Sequence, residues 1–327
     1  MIYPNLECAD FCNWMLNISS KRLSGPQTTL VQLIKSAALA GTSVTLVQWN
    51  NFQNFTAWRF ALYQVYINNQ LNLAPKNNNV FVQNWLDRLS IAGFTAPTYK
   101  TLTRLNLAFN YAQQFNLVSE IDFLWISVLD DVNHCTIPLL STNTNLCTFV
   151  GTPDFTPNVG LSGSLGLYIK TGWIESVDAV NWKHNNAIVA CCSLYDNKIA
   201  SFQGGAYDSI NNGLTTISAS YIDNNTYVYV NGPSATSLRC DSCLGITLGV
   251  RNTAGIINLF KSGTRLITSN YAENNFNQIE DYLFCYNYNG TPTSLFPENL
   301  QLWARSSANV DPLQLSTFYQ MLVTPLN

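Results

Sequence analysis

The chain has 327 residues, 47% of them hydrophobic and 11% charged, so it can bury a large core and is not a disordered polymer. Its 16 basic and 19 acidic residues leave a net charge of −3, and no basic run is present. Nucleic acid is thereby excluded as a partner, because phosphate binding requires clustered Lys and Arg. Asn, Gln, Ser and Thr stand where charged residues are usual, as in Asn77–Asn79, Asn211–Gly213 and Asp223–Thr226. A surface of that kind suits a large assembly or neutral polar ligands such as glycans.

At the N-terminus, "MIYPNLECADFCNW" has neither the basic start nor the apolar core of a secretory signal. The longest uncharged segment, Ser36–Trp58, is broken by Asn, Gln and Thr, so no membrane span is expected. Nine cysteines without a signal imply synthesis in a reducing cytosol, with mostly free thiols.

From Met1 to about Leu140 the apolar period is helical. "TTLVQLIKSAALAG" places Leu30, Leu33, Ile34 and Ala37 on one stripe and reaches a C-cap at Gly41. "FTAWRFALYQVYI" repeats the stripe with Trp58, Ala61, Leu62 and Val65. "NVFVQNWLDRLSIAG" does so with Val82, Trp85, Leu86 and Leu89. A further helix begins at Pro97 and carries Leu102, Leu105, Phe109 and Ala112. In "EIDFLWISVLDD" the period does not decide between a strand and a helix end.

After the Thr-, Asn- and Pro-rich connector "TNTNLCTFVGTPDFTPNVG" the texture changes. Short runs alternate with Gly, Asn and Ser turns at a spacing of about ten residues: "LGLYIKTGW", "AIVACCSL", "IASFQGG", "TTISASYI", "TYVYVNG", "GITLGV", "IINLFKSG", "YLFCYNY" and "LQLWARS". This spacing predicts an antiparallel sandwich or barrel. A last helix starts at an Asp311 N-cap with Pro312 at its first position, and Leu315, Phe318, Tyr319 and Leu322 share a face. The expected class is therefore α+β and multidomain: a helical region over 1–75, a small helical module over 76–146, and a β-sandwich over 147–327 with a short C-terminal helix.

The hairpin "GITLGVRNTAGIINLFKSGTRLITS", then "CYNYNGTPT" and the helix "DPLQLSTFY", resembles the end of concanavalin-like (LamG-like) jelly-roll domains. "LGLYIKTGW" resembles their opening strand. "FVQNWLDRLSIAG" and the segment from Thr98 to Ile126 are similar to a helical module preceding this jelly roll in structural proteins of tailed bacteriophages. The resemblance covers roughly 80–327. It implies a non-enzymatic virion protein of a tail or head appendage, made in the host cytoplasm, with other virion proteins and copies of itself (commonly three) as partners. It also implies host attachment through a surface glycan. The alternative is a soluble lectin outside any virion. Met1–Pro75 reads either as an ordinary helical domain or as the virion anchor.

Glycosidases occur among concanavalin-like folds, and they need two carboxylates roughly 5–10 Å apart across a cleft. The E-x-D-x-x-E pattern of the laminarinase-like members is matched here by Glu120 and Asp122, but its third position is Trp125. Glu175 and Asp178, and likewise the adjacent Glu280 and Asp281, diverge if both pairs lie on strands. These carboxylates read as solvated or capping groups, and no catalytic residue is expected. Asp130, Asp131, His134 and Cys135 lack the second cluster that a metal site requires, and the lone C-x-x-C at Cys240 and Cys243 lacks a second pair. Trp173 and Trp182, at strand positions, read as core. Glycans are held by stacked aromatic rings with Asn, Asp and Gly around their hydroxyls. The candidate ligand loops are Tyr207, Asp208, Asn211 and Asn212; Asp223, Asn224 and Asn225; and Tyr286, Asn287, Tyr288 and Asn289. Turn formation accounts for the same Asn and Asp residues. No cofactor is expected, although Asp208 or Asp223 could hold Ca²⁺ as in several lectins of the fold.

Overall fold

The computed structural model describes residues 8, 11–12, 15–16, 25–40, 42–53, 56, 78–163, 166–194, 201–219, 221, 223–239, 244–253, 255–272 and 275–324. It divides into two compact units, Met1–Pro75 and Lys76–Asn327. No helix among the described residues is long and apolar enough to cross a membrane.

In the first unit, helix α1 (Gly25–Ala40) buries Val31, Ile34 and Ala37 against Phe11, Cys12, Met15, Val44 and Phe52. Leu33, expected on this stripe, is exposed instead. One position along a helix turns a side chain by more than a quarter circle, so Val31 takes the inward place. Gly41 and the stripe of Trp58, Ala61, Leu62 and Val65 lie outside the described residues.

The second unit opens with α2 (Val80–Ile91) and α3 (Tyr99–Gln114), capped by the side chains of Asn79 and Thr98. Those caps satisfy N–H groups that have no partner within the helix. Val82, Trp85 and Leu89 of α2 are buried, as are Leu105, Phe109 and Ala112 of α3. Trp85 Nε1 donates to the carbonyl of Ile137 at 3.1 Å. At the other end of the chain, α5 (Pro312–Val323) starts at Asp311, whose side chain accepts from Leu313 and Gln314 N–H. Phe318 of α5 meets Phe109 of α3 edge to face at 5.4 Å.

Between these helices lie two face-to-face sheets. The first runs β14 (Thr264–Asn270), β13 (Ile256–Lys261), β12 (Gly245–Thr253), β7 (Ala187–Ser193), β18 (Asn299–Ser306), β1 (Ile121–Ile126) and β2 (Leu140–Ser141), with β5 (Gly160–Ser162) and β4 (Asp154–Thr156) attached at β18. The second runs β11 (Thr236–Arg239), β10 (Asn225–Tyr229), β9 (Gly213–Ser218), β8 (Gly204–Asp208), β15 (Glu280–Leu283), β6 (Tyr168–Ile174) and β3 (Thr148–Val150). The hairpin β16 (Tyr286–Tyr288) and β17 (Thr291–Thr293) joins it, with β16 parallel to β8. The other named pairings are antiparallel, and the fold is a β-sandwich. Residues 121–126 are thus a strand, wholly buried between β18 and β2. The 76–146 segment and the sandwich fall within one compact unit.

Close approach of the sheets is visible at Gly249 of β12, where a Cβ would lie 1.9 Å from Val228 Cγ1 of β10. Val228 therefore points across the sandwich, and its neighbours Tyr227 and Tyr229 point away from it.

The sandwich interior holds an ionic cluster. Arg305 on β18 donates through Nε and Nη2 to both oxygens of Asp281 on β15, at 2.8 and 2.6 Å. Its Nη1 stands 3.3 Å from Glu175 Oε1, and Trp303 Nε1 donates to Asp281 at 3.1 Å. The guanidinium lies 4.7 Å from the ring of Trp182, 5.3 Å from Trp303 and 5.7 Å from Trp173. All six residues are buried. Trp173 and Trp182 are core, as expected. Glu175 and Asp281 are not the solvated carboxylates that their local sequence implies. Glu175 sits in a one-turn helix, α4 (Glu175–Asp178), which turns its side chain inward after β6. Burial raises the Glu175 pKa, with Arg305 pulling it back down and Asp281 adding to the rise.

Two outcomes follow for stability. Arg305→Leu leaves Asp281 buried without its cation, and should lose about 3–5 kcal/mol in denaturant unfolding. Glu175 binds its proton more tightly folded than unfolded. Its contribution is therefore complete below the ordinary carboxylate range and is lost as pH rises through the folded value. Thermal unfolding of Glu175→Gln should show a flatter decline with pH over that window than the parent protein; parallel curves would contradict it.

Candidate functional site

Alternation places several tyrosines of the second sheet on its outer face. In β10, Thr226 and Val228 are buried while Tyr227 and Tyr229 are half-buried on the outer face. Tyr207 occupies the corresponding side of β8, and Tyr286 and Tyr288 lie two residues apart on β16. Phe202 precedes β8, and Tyr221 sits in the turn between β9 and β10. These seven residues line the outer face in two groups of ring contacts, Tyr207 with Tyr288 and the other five around Phe202 and Tyr221. Tyr207 is 5.3 Å from Tyr288, and Tyr286 is 5.3 Å from Phe202. Phe202 is 6.4 Å from Tyr229 and 6.1 Å from Tyr221, which is 5.5 Å from Tyr227. The rings meet at interplanar angles between 48° and 83°, so the surface is corrugated, with ring faces and edges alternating. Burial raises the pKa of Tyr286 and of Tyr229, and nearby tyrosines add to both shifts. The phenols therefore remain neutral hydrogen-bonding groups.

The candidate loops fall at the two ends of this face. The Asp208–Asn212 turn joins β8 to β9, and β16 brings Asn287 opposite Ala206 and Tyr288 opposite Tyr207. Asn289 closes the join: its side chain accepts from Ser209 N–H at 3.0 Å and donates to Ser209 Oγ at 2.6 Å. Ile210, 88% exposed, tips this end. Asp223–Asn225 lie at the opposite end of β9.

Most polar groups in these loops serve the backbone. Asp208 is buried and accepts from Ile210 N–H, Asn211 N–H, the Asn211 amide at 2.6 Å and Gln278 N–H. Burial alone would raise its pKa, but these donors, the Asn211 side chain foremost, outweigh that and hold it below the ordinary carboxylate range. Asp223 accepts from Asn225 N–H, the Asn225 amide and the Tyr227 hydroxyl. The Tyr227 hydroxyl is the main cause of its lowered pKa. Asn287 is buried, donating to the Glu280 carbonyl and accepting from Gly290 N–H. Asn212, Asn224 and Asn289 have φ of 57°, 66° and 48°, left-handed positions that Asn tolerates. Asp208, ringed by N–H donors, does not present the oxygen cage that Ca²⁺ requires, and the exposed Asp223 is committed to Asn225 and the Tyr227 hydroxyl.

The remaining sequence candidates serve structure. Asp122, completely buried on β1, accepts from the N–H groups of Val180, Asn181 and Trp182 and from the Asn181 side chain. Glu120 accepts from Ser307 Oγ. Asp130 accepts from Thr98 and Thr101, Asp131 caps Asn133 N–H, and His134 Nε2 contacts the Thr95 carbonyl at 2.8 Å. Among the described residues no group of three or more His, Cys, Asp or Glu is placed to hold a metal. Cys240 and Cys243 lie outside the described residues. Sequence reasoning missed Phe202, Tyr221, Tyr227 and Tyr229 as site residues. The signal was present in "TYVYV", where two tyrosines alternate with valines.

No protein-family model matches the chain, and no curated protein matches it either. Several solved structures are similar to it. Domain 4 of AbnA, an extracellular arabinanase from Geobacillus stearothermophilus in complex with arabinotriose, aligns at 11% identity over 61% of this chain and 98% of that one, with a TM-score of 0.42. The Trypanosoma rangeli sialidase in complex with sialic acid aligns at 12% identity over 62% of this chain and 33% of its own, with a TM-score of 0.42. The botulinum neurotoxin serotype D ligand-binding domain in complex with N-acetylneuraminic acid aligns at 10% identity over 66% of this chain and 56% of its own, with a TM-score of 0.41. The match thus spans about half of the toxin chain and a third of the sialidase chain. Identities this low carry no information about ligand.

Asp208→Ala removes the acceptor of four N–H contacts. It should cost about 1–3 kcal/mol in chemical unfolding and speed amide exchange at Ile210 and Asn211; unchanged exchange there would refute the turn's dependence on this carboxylate.

Proposed function

We propose that the sandwich is a non-catalytic carbohydrate-binding domain and that the chain is a structural protein of a tailed-phage virion. In this reading Met1–Pro75 attaches it to other virion proteins and the jelly roll is displayed in several copies for host attachment. The observation that carries the binding half is the set of seven outward aromatic rings. Sugar rings present C–H faces that stack on aromatics and hydroxyls that pair with neutral polar groups. The outer face supplies both.

The non-catalytic half rests on where the carboxylates are. Asp281 and Glu175 point into the sandwich toward Arg305, and Asp122 is consumed by backbone amides. The virion assignment rests on the resemblance of the hairpin, the "CYNYNGTPT" strand and the final helix. It gains support from Leu39, Leu46 and Val47, which are 60%, 58% and 69% exposed on the first unit and offer apolar surface for a neighbour.

Two measurements test the two halves. On a glycan array, the purified protein should retain at least one glycan, and Tyr227→Ala and Tyr288→Ala should weaken it by about 1–3 kcal/mol each; silence of the parent protein across the array would end the carbohydrate reading. Immunogold electron microscopy of virions, with an antibody to residues 160–327, should label a discrete site. Absence from the particle would leave a soluble carbohydrate-binding protein.

A further inference from the structure

We infer that Asp223 is a positioning residue for carbohydrate binding: it takes the hydroxyl proton of Tyr227 and leaves that phenol oxygen as an acceptor for a donor group of the sugar, a hydroxyl or an amide N–H. This rests on the carbohydrate-binding reading above and specifies one contact within it.

The turn between β9 and β10 holds the parts in place. Tyr221 N–H donates to the Asn225 carbonyl at 2.7 Å, and Asn224 N–H to the Tyr221 carbonyl at 2.9 Å. Asn224 takes the left-handed conformation, φ 66°, within this reversal. Asp223, exposed on the turn, accepts from Asn225 N–H at 3.0 Å and from the Asn225 side chain at 2.9 Å. Its carboxylate is therefore fixed before any ligand arrives. It also accepts from the hydroxyl of Tyr227, whose ring stands edge to face with Tyr221 at 5.5 Å. Both the ring and the hydroxyl of Tyr227 are thus anchored. The other end of the face is built differently. Asp208 is buried and spends its oxygens on Ile210, Asn211 and Gln278.

A phenol has one proton to give and lone pairs with which to accept. Once the proton is committed to Asp223, acceptor capacity is what remains, so the group that meets Tyr227 Oη must donate. Sugar hydroxyls and the N–H of N-acetylated sugars both do. The arrangement needs the carboxylate ionised, because a protonated carboxyl is a donor itself. The Tyr227 hydroxyl is the main cause that holds the Asp223 pKa below its ordinary value. Binding is therefore strongest with Asp223 ionised and weakens as pH falls through that lowered value. Among the described residues, the titratable or charged groups that face this corner are Tyr221 on the turn, Tyr229 on β10, and Arg239 on β11, opposite Asn225. Phenols and guanidinium groups ionise far above the carboxylate range, so Asp223 sets the acid side of the profile.

Isothermal titration with malto-, cello-, xylo- and N-acetylated chito-oligosaccharides, and with the tightest binder of the glycan array, tests this from neutral pH downward. Tyr227→Phe, which keeps the ring and loses the oxygen, should weaken affinity about five- to tenfold. Asp223→Ala should weaken it to a similar extent. The Asp223→Ala/Tyr227→Phe double variant should lose no more than Tyr227→Phe alone, because the carboxylate acts through the phenol. Asp223→Asn keeps an acceptor oxygen and cannot ionise, so it should keep most of the affinity and abolish its decline in acid. Thermal unfolding confirms that each variant is folded. Additive losses in the double variant, full affinity in Tyr227→Phe, or an acid decline that persists in Asp223→Asn would overturn the inference and leave carbohydrate binding standing. Failure of every oligosaccharide, together with a silent glycan array, would overturn both.

Discussion

A single guanidinium fixes how the two sheets face each other. Arg305 leaves β18 of the first sheet and grips Asp281 on β15 of the second through two parallel hydrogen bonds, a fork that tolerates little rotation or slip. Taking those charges out of water is expensive, and an apolar substitute could match the stability. Three indoles around the guanidinium offset part of that cost through their ring faces while excluding water. The geometric consequence extends outward. Glu175 Oε2 accepts from Asn277 N–H, and the Asn277 side chain accepts from Asp208 N–H. Core charge, buried Asn and surface turn form one hydrogen-bonded path. The aromatic group at Tyr207 is thereby set by the alignment of the sheets behind it.

Local chemistry was legible in the sequence wherever it was local in fact. The α5 cap, the stripes of α2 and α3, and the β12–β13 hairpin depend on residues a few positions apart, and those elements form where their signals stand. Strand β1 was ambiguous because all its residues are buried; a strand covered on both faces loses the alternation that identifies it. "YLFCYNY" reads as one strand, but Phe284 takes φ 64° and splits it into β15 and β16. The bend is set by tertiary packing, with no Gly or Asn to announce it. Glu175 and Asp281 were misread for a related reason. Their partner lies on a strand far along the chain, and nothing near either acid marks it as buried.

The candidate site was half legible. Asn and Asp clusters marked turns that flank the aromatic face, and their side chains are occupied in holding left-handed residues and capping N–H groups. A group already satisfied by backbone cannot turn to a ligand without releasing the turn it supports. The chemistry left free belongs to the tyrosines, and alternation of Tyr with Val in β10 is the pattern that exposes it.

A minority of charged groups depart from the usual arrangement, in which ionised side chains stay at the surface. Arg104, Arg251 and Arg305 are fully buried. Arg104 donates to the Val128 carbonyl, and burial lowers its pKa to about 10 against the opposing pull of Asp130. Arg251 donates to the carbonyls of Val230 and Tyr271. Through Val230 it holds the end of β10, the strand that carries Tyr227 and Tyr229. These arginines tie loop carbonyls and sheet faces together from within, where the low local dielectric strengthens each hydrogen bond. These three guanidinium groups therefore do not add to the charge of the outer face. On the outer face the half-buried tyrosines offer ring faces and phenol hydroxyls, groups that interact through shape and hydrogen bonding. Those are the groups through which the proposed carbohydrate would compete with water.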